Sequence, residues 1–132
     1  MKIIRIILKV LLCLLIVTPI FGAFGIFPEP TADLYNSPEA FAFIQALFQG
    51  GYIIYMMAAI FAVSIGLVIT NRMALVALLI LPITINIIAF HMFLDGGIFT
   101  GGAIMGNILF LINIYFLWES RAQYRVLWNK SI

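Results

Sequence analysis

The side chains best placed for chemistry fall in Pro82-Ile-Thr-Ile-Asn-Ile-Ile-Ala-Phe-His-Met-Phe-Leu-Asp95, where the single histidine and several polar groups close a long apolar run. A helix turns about 100° per residue, so Thr84, His91 and Asp95 share a narrow stripe, and Asn86 lies about 140° from His91 on a second face. An imidazole one turn from a carboxylate can move a proton, hydrogen-bond a quinone, or ligate a metal or haem. Near the outer end of a span, simple His–Asp pairing with interfacial hydration accounts for the same residues. A metal would need a third ligand of the right type, for which only the acids of the first loop are available. A bis-histidine haem would need a second chain. No Ser-His-Asp spacing, phosphate loop, paired-carboxylate site or nucleic-acid patch is present, so no catalytic set and no metal site are expected.

An unpaired Asn is costly in hydrocarbon, so Asn86 is expected to face the protein. Pro82 lacks the N–H that would bond the Leu78 carbonyl, which predicts a bend one turn before it. Asn107 and Asn113 on the fourth apolar run, with Asn86 and Thr84 on the third, read as interhelical hydrogen-bond partners, each worth about 1 kcal/mol or less.

The elements that must carry these groups are set by composition. The chain is 65% hydrophobic and 9% charged, with a mean hydropathy of +1.21. Soluble domains do not reach these values. A spanning helix needs roughly 20 apolar residues, and four such runs stand out, at about 6–26, 52–70, 73–93 and 103–118. The fold class is all-α: an antiparallel four-helix transmembrane bundle forming a single domain over residues 1–132. The one cysteine, Cys13, excludes dithiol chemistry within a protomer.

Charge placement orients the bundle. All seven basic residues (Lys2, Arg5, Lys9, Arg72, Arg121, Arg125 and Lys130) fall on one side, whereas Glu29, Asp33, Glu39 and Asp95 occupy the two opposite loops. By the positive-inside rule both termini are cytoplasmic, and only Glu119 breaks the acidic asymmetry. The basic start and apolar core resemble a signal peptide. A retained first span fits better, because the run is longer than a signal core and its removal would disturb the charge pattern.

Connections complete the organisation. Ser37-Pro38-Glu39 reads as an N-cap, a proline at the first helical position and an acid at the positive end of the dipole. A short amphipathic helix should follow, with Gln45 and Gln49 on its polar strip. It lies either at the outer interface or as a dipping start to the second span bent at Gly50-Gly51. The link Thr70-Asn71-Arg72 makes the second and third spans a hairpin, and Gly96 to Gly102 does the same for the third and fourth. The tail from Glu119 continues the helical pattern, with Arg121, Arg125 and Trp128 available to headgroups.

With these residues laid out, the chain resembles the DoxX-like family of small four-helix bacterial membrane proteins over most of its length. The resemblance rests on Leu81-Pro-Ile-Thr-Ile-Asn86 through Phe90-His91 to Asp95, on Gly66-Leu-Val-Ile with Arg72, and on Tyr124-Arg125. Ala62 departs from it, since many relatives carry an acid about one turn before the glycine. The resemblance implies the bacterial inner membrane and an association with membrane redox complexes.

Two functional readings follow. One is a non-catalytic accessory subunit of a membrane assembly, redox-linked by resemblance, whose partners are the lipid bilayer and other subunits or a second copy of itself, with no nucleic acid. The other is a redox protein that binds a quinone-like or small apolar ligand on the face formed by Thr84, His91 and Asp95, with Asn86 nearby.

Overall fold

Apolar runs too long to be buried in so small a chain become four helices long enough to cross a membrane. The computed structural model describes residues 1–130, so the last two positions of the domain expected over 1–132 lie outside the described residues. The elements are α1 (Lys2–Ala23), α2 (Pro38–Gly50), α3 (Tyr52–Ile69), α4 (Met73–Phe93), α5 (Ile104–Glu119) and a single turn, α6 (Arg125–Trp128). Short 3-10 turns at Ala32–Leu34 and Gly101–Ala103 fill the loops, and no strand occurs among the described residues.

The four long helices run up and down around a ring in which α1 packs on α3, α3 on α4, α4 on α5, and α5 returns to α1. Their seam holds Leu12 and Ile16 from α1, Phe61 from α3, Val76 and Ile80 from α4, and Ile112 and Phe116 from α5. The outward side chains are as apolar as the inward ones, as expected where lipid replaces water outside. Leu14, Val63, Leu111 and Phe93 are all exposed.

α3, α4 and α5 each begin and end within one residue of the apolar runs at 52–70, 73–93 and 103–118, and α1 departs from 6–26 at both ends. α1 stops at Ala23, where the Ile26 N–H closes back on the Phe21 carbonyl at 3.2 Å and the Gly25 N–H on Gly22 at 3.1 Å. This is a Schellman arrangement, and it cuts off the residues to 26 that hydropathy alone had included. The α3–α4 turn uses the same device with Asn71, at φ 60°, in the left-handed position that asparagine tolerates better than most residues.

Ser37 caps α2 as its sequence requires, its hydroxyl accepting the Ala40 N–H at 3.0 Å. α2 is a separate helix at the loop end of the bundle, joined to α3 through Gly51 alone. The tail does not continue α5. The chain turns at Ser120, and the Tyr124 hydroxyl reaches back to donate to the Ala74 carbonyl at 2.8 Å, folding the segment against the start of α4.

At the end that carries the termini, Arg5 pairs with Glu119 at 3.2 Å and Lys9 donates to the Asn71 side chain at 2.5 Å. The one acid on the basic side is thus matched by a base from α1. Partly exposed pairs of this kind add at most about 1 kcal/mol each, but they fasten α1 to α5 and to the α3–α4 turn.

Candidate functional site

α4 is the element on which the polar groups turn, and it presents them on two opposite faces. Met73, Val76, Ala77, Ile80, Thr84 and His91 are buried against the bundle. Leu75, Leu79, Pro82, Asn86 and Phe93 are exposed on the other side. The four expected site residues therefore do not form one site, and they separate into three environments.

The first environment is the end of α4. His91 Nδ1 stands 3.1 Å from Asp95 Oδ2, with only 9% of His91 and 2% of Asp95 exposed. The other carboxylate oxygen accepts the backbone N–H of Asn36 at 2.8 Å and lies 3.4 Å from its side-chain nitrogen. That nitrogen also donates to the Asp95 carbonyl at 3.0 Å, and the Ser37 hydroxyl donates to the Leu94 carbonyl. Asp95 is thus the hub of a latch that ties the loop before α2 to the end of α4.

Gly96 makes the latch possible. Its φ is +83°, and a Cβ there would sit 3.1 Å from the Asn36 Cβ. Around the latch Phe90 stacks on Phe43 with centroids 5.7 Å apart, meets Tyr35 edge-on at 6.3 Å, and meets the His91 ring at 5.1 Å. Burial raises the Tyr35 phenol above its ordinary pKa, and the charge of Asp95 raises it further.

With Asp95 ionised, Nδ1 carries the imidazole proton and Nε2 is left as an acceptor. No hydrogen bond reaches Nε2 among the described residues. Its side of the ring faces Gly106 of α5, where a Cβ would come within 3.9 Å of Nε2 and 2.6 Å of the Ile87 Cγ2. A residue with no side chain at 106 is what allows α5 to lie this close to α4.

The second environment lies two turns deeper. Thr84, fully buried, donates its hydroxyl to the Asn113 side-chain oxygen at 2.7 Å, and the Asn113 amide donates to the Ala77 carbonyl at 2.9 Å. Asn113 and Thr84 are the interhelical pair expected of them. Asn113 takes the carbonyl next to the one that Pro82 frees, so α4 and α5 are pinned where the α4 ladder is weakest.

The third environment is a correction. Asn86 does not face the protein; it is exposed on the outer surface of α4. The Thr84 and His91 stripe occupies the bundle seam, and a residue about 140° away has to fall outside it. Asn107 also departs from expectation, because its amide donates to the Ile98 carbonyl of the loop at 2.7 Å rather than to another helix. It sits in the first turn of α5, level with that loop, and its side-chain oxygen is buried without a hydrogen-bond partner among the described residues.

Asn36 is the residue that sequence reasoning missed. It lies in an irregular loop 59 positions from Asp95, and its only local signal is that it precedes the Ser-Pro cap. Among the described residues no group of three or more His, Cys, Asp or Glu gathers that could hold a metal. Two concavities of the loop end exclude His91, a groove of about 270 Å³ lined by Glu29, Pro30, Ile44, Gln45, Phe48 and Gln49 and one of about 350 Å³ between the end of α1 and the loop that follows it. No family model, curated protein or solved structure matches this chain.

Proposed function

We propose that the chain is a non-catalytic integral membrane subunit that braces or anchors a larger assembly. The observation that carries this reading is how the buried polar groups of the bundle are used. Thr84 and Asn113 are committed to each other and to the Ala77 carbonyl, and Asp95 is committed to His91 and Asn36. Groups locked in this way hold helices in register rather than wait for a substrate.

The likeness to DoxX-like proteins, read from the third-span motif, adds a redox-linked assembly as the setting and the bacterial cytoplasmic membrane as the location. The basic end is the cytoplasmic side in this reading, with both termini there. The competing reading, a quinone-like ligand on α4, is favoured by one feature, the free Nε2 of His91. A quinone carbonyl would need a donor at that atom, which requires the imidazole to be protonated or to hold its proton on Nε2.

The test is gentle purification from the native membrane followed by mass spectrometry of the intact material. A stoichiometric protein partner without a retained small molecule supports the subunit reading. A retained quinone that is lost in His91→Ala overturns it and assigns the α4 stripe as the site.

A further inference from the structure

The outer face of α4 repeats with the same alternation of threes and fours as the face the helix buries. Leu75, Leu79, Pro82, Asn86, Ala89 and Phe93 are spaced 4, 3, 4, 3 and 4 residues apart, the a/d spacing of a two-helix seam. Leu75 is 51% exposed, Leu79 36% and Phe93 79%, Pro82 and Asn86 are exposed and Ala89 is half-buried. Two apolar grooves of about 370 Å³ each flank the inner part of this seam, one lined by Leu67, Leu75, Leu78 and Leu79, the other by Leu78, Tyr124, Leu127 and Trp128.

Asn86 sits near the middle of α4, is exposed on its outer surface and makes no hydrogen bond among the described residues, so in a bilayer its carboxamide would be left without a partner. We infer that this face pairs with the same face of a second copy, through parallel α4 helices joined by an Asn86–Asn86 hydrogen bond within the bilayer.

The argument for a second copy is self-complementarity. A carboxamide carries both donor and acceptor, so two of them related by a twofold axis satisfy each other. Every copy inserted with the same topology brings its Asn86 to the same depth, and α4 then runs parallel to its mate, as an axis along the membrane normal requires. By the spacing, Asn86 falls at an a position, where a single polar residue fixes the register and number of strands in parallel pairs. The seam predicts a left-handed crossing near +20° with helices 8–10 Å apart. The pairing deepens the subunit reading by naming one partner, yet it stands on a different observation.

The experiment uses the full chain reconstituted in liposomes, with the fraction of dimer followed by single-molecule photobleaching as the protein is diluted in lipid. The wild type should form a reversible dimer, and Asn86→Leu should raise its dissociation constant about fivefold, the equivalent of roughly 1 kcal/mol for one intramembrane hydrogen bond. Asn86→Gln should retain part of the affinity.

In a Cys13→Ser background, Asn86→Cys should cross-link under copper-phenanthroline oxidation, and Leu111→Cys, on the exposed face of α5, should not. A chain that is monomeric at every dilution overturns the pairing, as does a dimer indifferent to Asn86→Leu or one cross-linked through Leu111→Cys. A monomer would leave the subunit reading standing, because that reading is decided by the proteins recovered from the native membrane.

Discussion

Asp95 holds the loop end together because it is buried and has three donors aimed at it from two parts of the chain. Removing an acceptor of this kind strands its donors. Asp95→Ala should therefore lower stability by about 2–3 kcal/mol, and His91→Ala by less, since Asp95 keeps Asn36 in the second case. Thermal unfolding of the two variants in one detergent checks the order; equal losses would count against Asp95 as the hub.

Tyr35 gives a pH signature of the same latch. Its folded pKa is raised, first by burial and then by the charge of Asp95, so its contribution is complete below the unfolded value of about 10 and is lost as pH climbs past it. The wild type should thus lose stability relative to Tyr35→Phe only above about pH 10, and a difference that grows toward acid pH would contradict the assignment. The His91–Asp95 stripe was legible from spacing alone. Asn36 was not, because periodicity carries no information about which irregular loop folds over a helix end.

At the scale of the helices, hydropathy fixed all four spans, and short links fixed their antiparallel order, because apolar length and loop reach decide these two features. What hydropathy could not supply was the rotation of α4 about its axis. Thr84 with His91, and Asn86, mark two polar faces, and the choice between them depends on what α5 offers opposite. α5 offers Asn113 and Gly106, which draw the Thr84 face inward and leave Asn86 outside.

The close approach at Gly106 can be tested directly. Gly106→Ala puts a methyl 2.6 Å from the Ile87 Cγ2, and overpacking of this kind costs about 1–3 kcal/mol even though alanine is the better helix former. Ile87→Ala alone should also destabilise by leaving a void, but the double variant should recover most of the Gly106→Ala loss. Unfolding measurements on the four proteins of that cycle would show the coupling, and simple additivity would mean that α4 and α5 do not press on each other there.

For the molecule as a whole, the two ends of the bundle differ in charge and in construction. The end with the termini carries every lysine and arginine of the chain, and its one acid, Glu119, is held by Arg5 at 3.2 Å. The opposite end carries Glu29, Asp33, Glu39 and Asp95 without a base, and Asp95 is internal to the latch rather than displayed. A bias this complete should leave only one favourable direction of insertion, since lysine and arginine near span ends are retained on the cytoplasmic side while acids contribute little. A fluorescent protein fused after residue 132 should therefore mature, and alkaline phosphatase fused there should stay inactive. Phosphatase inserted between Pro30 and Ala32, in the loop ahead of α2, should be active. The N-terminal bases lie at the start of α1 and should dominate, so replacing Lys2, Arg5 and Lys9 together by Gln should produce a mixed population in which both C-terminal reporters give signal. If topology instead remains uniform in that triple variant, the basic residues at the α3–α4 turn and in the tail are sufficient to orient the bundle, and the same substitutions at Arg72, Arg121 and Arg125 should then release it.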